Sequence, residues 1–297
     1  MTEESTMRLE IKHLRKLYGK KVALDDFSVA IDRGIYGILG ANGAGKTTLM
    51  NILTDNVRRD GGEILWEGEE ILKMGERYRR QVGYMPQEQI CYPQFCAREF
   101  LEYMAVLKGL AVKEAGVREH IDELLEKVHL ADVQMDKVGS FSGGMRRRLL
   151  LAQAMLGEPN LIILDEPTAG LDPRERIAMR NMIVELARDR VILLATHIAA
   201  DIECVANSVI IIKEGRVLRN APPAVLMKEV LPHVREIICT YEEMADYQKN
   251  YKVGNIMQRS DGILLHVIEQ EEIGNDSPAS IVTMDDVYLY YCEQGLE

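Results

Sequence analysis

The feature that most restricts the fold is a glycine-rich segment, Gly40-Ala41-Asn42-Gly43-Ala44-Gly45-Lys46-Thr47. It has the spacing of a P-loop, with a mostly apolar strand pattern before it at 35–39 and a helical pattern after it from Lys46 to about Thr54. Glycines let the backbone curve so that successive N–H groups surround phosphate oxygens, and the positive end of the helix dipole faces the anion. The segment therefore predicts a phosphate-binding turn between a strand and a helix.

Individual side chains of this turn can bind the phosphates and the metal ion of a nucleoside triphosphate. Lys46 can reach the β- and γ-phosphates as a point charge, and the Thr47 hydroxyl can hold Mg²⁺. A glycine-rich turn that binds nothing is the alternative, and the complete spacing argues against it. The expected nucleotide-binding residues are Asn42, Gly43, Ala44, Gly45, Lys46, Thr47 and Thr48.

Two further segments place polar side chains at strand ends. The apolar run 161–164 is followed by Asp165, a candidate to hold Mg²⁺ directly or through water, and by Glu166, a candidate to orient and polarise an attacking water. His197 follows the apolar strand pattern 191–196 and can contact a γ-phosphate, although a lone histidine at a strand end is more often structural. Open α/β sheets bind ligands at the carboxyl ends of their strands, so these residues are expected to meet the P-loop.

The segment Phe141-Ser142-Gly143-Gly144-Met145 resembles the Leu-Ser-Gly-Gly-Gln signature of ABC ATPases, with Phe and Met in place of Leu and Gln. Other elements of that family occur in the same order over residues 8 to about 218: Tyr18 is placed like the aromatic that stacks on adenine, Gln87 matches the Q-loop, Ala169-Gly170-Leu171-Asp172 matches the D-loop and His197 matches the switch histidine. On these motifs the chain is identified as a member of the ABC ATPase family.

This resemblance implies a mechanism that needs two ATP-binding subunits, either two copies of this chain or two different chains. Each ATP lies between the P-loop of one subunit and the Ser142, Gly143 and Gly144 segment of the other, and Asp172 helps to form the same interface. The implied cofactors are ATP and Mg²⁺, with Thr47, Gln87 and Asp165 at the metal. The implied catalytic residues are Glu166, His197, Gln87 and Lys46. A membrane-spanning permease subunit is the implied partner.

The expected function is ATP hydrolysis that drives export of a drug, antibiotic or peptide, because 143–149 and 283–288 resemble the antibiotic and multidrug exporter branch. The arginines at 146–148 equally suit a solvated helix face. One alternative is a soluble ABC ATPase acting in translation or DNA maintenance, classes that usually carry two nucleotide sites, a long coiled coil or zinc motifs. Another is a binding module without catalysis, against which the complete set of catalytic residues argues.

Composition narrows the partners and the location. The net charge of −11, from 36 Lys+Arg against 47 Asp+Glu, argues against nucleic acid as the main partner. Residues 1–5 lack the apolar core of a signal peptide, and the longest apolar runs are too short to span a bilayer. The 5 cysteines, 91, 96, 204, 239 and 292, have no zinc-ligand spacing. A peripheral position on the cytoplasmic face of the cell membrane is expected.

The predicted fold class is α/β, a P-loop NTPase with a parallel-sheet core, an antiparallel β subdomain, a helical insertion and a small α+β C-terminal extension. Residues 1–220 are expected to form the ATPase domain, with the helical insertion at about 88–157, and the break at Pro222-Pro223 begins the extension, 221–297. Within the extension, 253–257 and 263–268 are predicted strands and 284–293 a predicted helix. Its role is left open between dimerisation or regulation and simple stabilisation.

An aromatic-rich stretch is the remaining feature of the insertion. Tyr92, Phe95, Phe100 and Tyr103 can form a groove for a helix of a membrane subunit, or they can pack the helical core. The sequence leaves both interpretations open.

Overall fold

The computed structural model describes residues 8–87, 92–269 and 281–292. Residues 1–5, Cys91 and the predicted helix end at Glu293 lie outside the described residues. The strands of the first part of the chain are β1 (Leu9–Tyr18), β2 (Lys21–Ile31), β3 (Gly34–Leu39), β4 (Gly61–Trp66), β5 (Glu69–Glu70), β6 (Val82–Met85), β7 (Leu161–Asp165), β8 (Val191–Ala195), β9 (Ser208–Lys213) and β10 (Arg216–Ala221). The helices are α1 (Lys46–Leu53), α2 (Ile71–Met74), α3 (Glu76–Gln81), α4 (Ala97–Leu107), α5 (Ala115–Lys127), α6 (Gly143–Met155), α7 (Pro173–Leu186) and α8 (Ala199–Val205).

The core is a six-stranded sheet in the order β10-β9-β3-β8-β7-β6. All neighbours are parallel except β9 and β10. The four apolar residues of β7 and all of β8 are buried, as expected for strands covered by helices on both faces. The register pairs Ala195 with both Ile38 and Asp165, so β3, β8 and β7 end side by side.

A second sheet, β2-β1-β4-β5, is antiparallel and carries the hairpin β1–β2. Helix α1 packs between the sheets, since its buried residues share one core with apolar residues of both. The turn at 32–34 connects β2 of this sheet to β3 of the six-stranded sheet. The predicted α/β class, with a parallel P-loop core and an antiparallel subdomain, is confirmed.

Helices α4, α5 and α6 fill the predicted helical segment and share a core with α7. Strand β6 and helices α2 and α3 were not predicted from the sequence. In β6, a Cβ at Gly83 would lie 1.9 Å from the Ala154 carbonyl oxygen, so glycine is required by the close approach of α6. A strand of four residues that contains a glycine is too short to show the alternation of apolar and polar residues from which a strand is predicted.

The last part of the chain contains α9 (Pro223–Val230), β11 (Val234–Cys239), α10 (Tyr241–Asn250), β12 (Lys252–Arg259), β13 (Gly262–Ile268) and α11 (Met284–Cys292). The strands form an antiparallel sheet in the order β11-β13-β12. Both predicted strands and the predicted helix of this region are present, whereas β11 and α10 were missed. Apolar residues of α9 and α11 share a core with α8 and β9, so this region packs on the end of the main sheet.

A buried ion pair fastens α11 to the small sheet. His266 is 2% exposed and Asp286 is 0% exposed, and His266 Nδ1 lies 3.1 Å from Asp286 Oδ2. The same oxygen accepts hydrogen bonds from the Thr283 backbone N and Oγ1, both at 2.9 Å. The hydrogen bond with Asp286 raises the pKa of His266, with a smaller contribution from Glu236, against the opposing effects of burial and of Arg259.

This pair predicts a pH-dependent stability. The pKa of His266 is higher in the folded protein than its unfolded value of about 6.5. The protonated histidine therefore stabilises the fold fully below pH 6.5, and this contribution is lost as the pH rises through the pKa of the folded state. We expect Asp286→Asn to lower the free energy of unfolding by about 3 kcal/mol at pH 6 and by clearly less at pH 9. Urea unfolding followed by circular dichroism measures this, with Asp261→Asn in the exposed β12–β13 turn as control. An equal loss at both pH values contradicts the prediction.

Candidate active site

The P-loop connects β3 to α1, which begins at Lys46. Gly43 and Gly45 have φ angles of 84° and 113°, in the region that favours glycine. A Cβ at Gly45 would also lie 2.6 Å from the Ala23 carbonyl oxygen, so the loop packs closely against β2. Lys46 Nζ donates to the carbonyl oxygens of Gly40 at 2.6 Å and Ala41 at 3.2 Å, which holds the ammonium group beside its own loop.

Residues from distant parts of the chain form one cleft of about 550 Å³ over this loop. Its lining combines the end of the β1–β2 hairpin, the P-loop with the first turn of α1, and residues at the ends of β6, β7 and β8. The lining residues are Tyr18, Lys21, Ala23, Asn42, Gly43, Gly45, Lys46, Thr47, Thr48, Gln87, Asp165, Glu166 and His197. The structure thus brings the phosphate loop, both carboxylates and the histidine together, as the positions of the strand ends predict.

Glu166 is held by the segment that follows β8. Its Oε1 accepts a hydrogen bond from the His197 backbone N at 2.9 Å and lies 2.8 Å from His197 Nδ1. Its Oε2 accepts from Thr196 Oγ1 at 3.1 Å. The Glu166 side chain is only 9% exposed, whereas that of His197 is 69% exposed. The hydrogen bonds from Thr196 and the His197 backbone therefore orient the Glu166 carboxylate, and the His197 imidazole is exposed in the cleft.

The backbone at Glu166 is also constrained. Its φ of 51° lies in the left-handed region, which costs energy for a residue with a Cβ and persists where the surroundings impose it. Its N–H donates to the Ala195 carbonyl oxygen at 2.8 Å, which extends the β7–β8 contact by one residue. This conformation turns the side chain toward β8 instead of continuing the strand.

Charges in the cleft shift one another's ionisation. Burial lowers the pKa of Lys46, while the negative charges of Glu166 and Asp165 oppose that change. Burial and the neighbouring charge of Glu166 raise the pKa of Asp165, and Lys46 and Arg147 oppose that change. The cleft thus combines two lysines, Lys21 and Lys46, with the carboxyl groups of Asp165 and Glu166. A polyanion that binds together with a metal ion can balance these charges.

Five of the predicted site residues do not line the cleft. Ala44 is buried in the core, and its backbone N donates to the Ala41 carbonyl oxygen at 3.1 Å. Ser142, Gly143, Gly144 and Asp172 do not line the cleft. Sequence reasoning missed Lys21, which the hairpin register pairs directly with Tyr18. The short Gly19-Lys20 connection between two strand patterns is the signal that can place Lys21 there.

The signature segment forms the start of α6. Ser142 is the N-cap, and its Oγ accepts a hydrogen bond from the Met145 backbone N at 3.1 Å. Phe141 is 3% exposed and belongs to the helical core, whereas the following Ser142 and Gly143 are exposed. These exposed groups are available to a molecule outside this chain.

Contacts from α6 reach the D-loop and the Q-loop. Asp172 caps α7 by accepting a hydrogen bond from the Glu175 backbone N at 2.9 Å, and the Glu175 carboxylate lies 3.4 Å from Arg148 on α6. Arg147 Nη1 donates to the Gln87 carbonyl oxygen at 2.9 Å. Helix α6 therefore contacts both the residue before the helical segment and the helix that follows the D-loop.

Comparison with known proteins agrees with this arrangement. Residues 24–169 match the family described as ABC transporter. Nod factor export ATP-binding protein I of Burkholderia thailandensis is 37% identical over 226 residues, which cover 75% of this chain and 74% of that protein. The chain belongs to the ABC transporter ATP-binding family. It therefore has the ATPase activity by which this family powers transport, and the alternative in translation or DNA maintenance is not favoured.

Solved structures support the same assignment of this ABC ATPase. A structure of an ATP-binding subunit of an ABC transporter has a TM-score of 0.66 and 31% identity, over 74% of this chain and 92% of that one. CbiO1 of Clostridium perfringens, described as part of the ABC transporter complex cbiONQ, has a TM-score of 0.68 and 26% identity, over 76% and 93%. ABC ATPase subunits of this kind work with membrane permease components. Each helix in the described part of the chain is too short or too polar to span a bilayer.

Proposed function

We propose that two ATP-binding subunits, at least one of them this chain, close around ATP on the cytoplasmic face of the cell membrane and drive export through a separate permease. The observation that carries this proposal is the division of the site. The cleft contains the P-loop, Glu166 and His197, whereas the signature residues Ser142 and Gly143 lie exposed outside it. A second subunit is needed to bring a signature segment to this cleft.

The nucleotide is bound mainly by the P-loop. Tyr18, exposed at the end of β1, stacks on adenine, and Lys46 leaves its loop carbonyls to contact the β- and γ-phosphates. Backbone N–H groups of the loop and the first turn of α1 surround the phosphates. The residues assigned to this role are Asn42, Gly43, Ala44, Gly45, Lys46, Thr47 and Thr48.

The site also suits Mg²⁺. Thr47, Gln87 and Asp165 line the same cleft and offer a hydroxyl, an amide oxygen and a carboxylate, the oxygen donors that Mg²⁺ prefers beside phosphates. When bound, the ion neutralises charge on the β- and γ-phosphate oxygens. The raised pKa of Asp165, caused mainly by burial, is lowered again by any cation placed beside it.

Glu166 acts on the attacking water, and His197 contacts the γ-phosphate. In the structure Glu166 Oε1 lies 2.8 Å from His197 Nδ1, and in the proposed mechanism Glu166 turns from His197 toward the water. Thr196 Oγ1 and the His197 backbone N also donate hydrogen bonds to this carboxylate and hold it beside the end of β8. Gln87 completes the catalytic set and, through the backbone contact with Arg147, links it to α6.

The signature segment acts on the partner's ATP. Ser142, Gly143 and Gly144 present a hydroxyl and the N-terminus of α6 to the γ-phosphate across the interface. Asp172 lies in the same interface. ATP therefore holds the subunits together, and hydrolysis allows them to separate.

The permease contacts the aromatic cluster of the helical insertion. Tyr92, Phe95 and Tyr103 form this cluster, with ring centroids 5.3–5.7 Å apart. Tyr92 and Tyr103 are each 37% exposed, whereas Phe100 is fully buried in the helical core. Phe95 is partly buried and packs against the same helical core as Phe100, so the proposed permease surface is formed mainly by the exposed rings of Tyr92 and Tyr103.

The extension, residues 221–297, is proposed as a separate domain beside the ATPase domain, residues 1–220, with the helical subdomain at about 88–157. Its support is the separate core formed on one face of the β11–β13 sheet by Cys239, Ile263, Leu265 and Val267. We assign the extension a role in dimerisation or regulation. A chain ending near Leu218 that dimerises with ATP and supports transport at full rate contradicts this assignment.

Affinity capture from gently solubilised membranes tests the whole proposal. A tagged Glu166→Gln chain with ATP retains the closed pair, and the wild-type chain without nucleotide is the control. Recovery of a polytopic membrane protein with the variant supports the transporter assignment and identifies the permease, whose transport assay then gives substrate and direction. Recovery of ribosomal or DNA-bound partners, with nothing from the membrane, contradicts it.

A further inference from the structure

A buried contact joins the two loops that carry Glu166 and His197, on a side away from the cleft. Thr168 Oγ1 donates a hydrogen bond to Asp201 Oδ2. Thr168 is 2% exposed and Asp201 is 1% exposed, and neither lines the cleft. Thr168 lies two residues after Glu166, and Asp201 lies four residues after His197 in the first turn of α8.

A third element contacts this pair. Arg180 of α7 has its Nη1 atom 3.5 Å from Asp201 Oδ1 and donates from the same nitrogen to Cys204 Sγ at 3.1 Å. Asp201 Oδ1 accepts no hydrogen bond from the described residues. A buried carboxylate is costly without a countercharge, and the Arg180 guanidinium supplies one beside Asp201. Asp201 therefore connects the loop after β7, helix α7 and helix α8.

The two loops are already fixed where they begin, because β7 and β8 are neighbours that pair Asp165 with Ala195. Within the cleft, the Glu166–His197 contact also joins them, but that contact must open when Glu166 turns toward water. The Thr168–Asp201 contact is separate from the reacting groups and can stay closed through that step. It also holds the short segment in which Glu166 keeps its left-handed backbone, with φ of 51°.

We propose that Asp201 is a positioning residue which, through Thr168 and Arg180, keeps the Glu166 and His197 loops in register while the Glu166–His197 contact is open. This proposal rests on the proposed role of Glu166 in catalysis. Asp201 is buried and does not line the cleft, so it acts on the rate of hydrolysis rather than on ATP binding by the P-loop.

The test uses a matched pair of substitutions at one site in the full chain. Thr168→Val removes the hydroxyl with almost no change of shape, and Thr168→Ser keeps it. We expect Thr168→Val to lower kcat for ATP by roughly 10- to 100-fold, with KM changed by less than about twofold, because a small misplacement of catalytic groups has effects of this size. Thr168→Ser should have a kcat close to that of the wild type. Asp201→Asn keeps an acceptor for Thr168 but loses the charge facing Arg180. Its kcat should lie between those of Thr168→Val and Thr168→Ser.

A second readout tests the same idea without turnover. The amides of Glu166, Ala169 and Leu171 donate backbone hydrogen bonds, so their hydrogen exchange reports the order of this loop. We expect exchange roughly tenfold faster in Thr168→Val and unchanged in Cys204→Ala, a control that removes only a sulfur contact of Arg180. A Thr168→Val protein with wild-type kcat and wild-type exchange, even if less stable, overturns the proposal.

Glu166→Gln in the same assay separates the two proposals. Loss of turnover in Glu166→Gln together with an unaffected Thr168→Val overturns only the positioning role of Asp201. Full turnover in Glu166→Gln overturns the proposed catalytic role of Glu166, and the positioning role that depends on it.

Discussion

Glu166→Gln is expected to lower the rate of ATP hydrolysis by about 1,000-fold while ATP binding changes by less than about threefold. A carboxylate that takes part in proton transfer typically contributes factors of this size, and an amide cannot replace it. The amide oxygen can still accept the hydrogen bond from the His197 backbone N, so the loop keeps its position. Phosphate release measures turnover, and titration with a fluorescent ATP analogue measures binding.

Glu158→Gln is the matched control. Glu158 is exposed and has a left-handed φ of 52°, so the same substitution is made in the same backbone conformation, away from the cleft. Its turnover should equal that of the wild type. If Glu166→Gln keeps more than a third of wild-type turnover, another group acts on the water.

Lys46→Met is expected to weaken ATP binding by about 100-fold. The proposed contacts of Lys46 with two phosphates are charge-assisted, and a loss of about 3 kcal/mol for both corresponds to that factor. Methionine fills a similar length without charge, so the P-loop keeps its shape. The substitution also removes a cation that lowers the pKa of Asp165, a smaller effect than the increase caused by burial. Equilibrium titration of ATP at fixed Mg²⁺ measures the change.

Lys20→Met serves as its control, because Lys20 is exposed in the turn beside Lys21 and does not line the cleft. An effect below about twofold is expected there. Equal losses for Lys46→Met and Lys20→Met would mean that general surface charge, rather than a specific phosphate contact, governs binding.

The elements that sequence reading predicted are those with strong local signals. The runs that became β7, β8 and β9 are continuously apolar because these strands are buried on both faces. The missed elements lack such a signal. Two charged residues interrupt β11, and α10 buries none of its residues completely, so its pattern is close to that of a loop.

The site shows the same distinction at the level of single residues. The P-loop, Asp165-Glu166 and His197 were predicted because their spacing along the chain and their places at strand ends are sufficient to bring them to one edge of a parallel sheet. Lys21 lines the cleft because the β1–β2 hairpin pairs it with Tyr18. Thr196 contacts Glu166 because β7 and β8 are neighbours. Neither contact has a motif of its own.

The chemistry of the site can be predicted from local sequence: a phosphate loop, two carboxylates and a histidine at strand ends, and a signature segment that identifies the family. Which of these groups contact one another depends on the packing of the whole chain. The Glu166–His197 contact, the buried Thr168–Asp201 contact and the separation of Ser142 from the cleft all depend on strand order and helix packing. A motif is defined by residues that are close along the chain. The Glu166–His197 and Thr168–Asp201 contacts join residues 31 and 33 positions apart, and packing of the whole core fixes their distances.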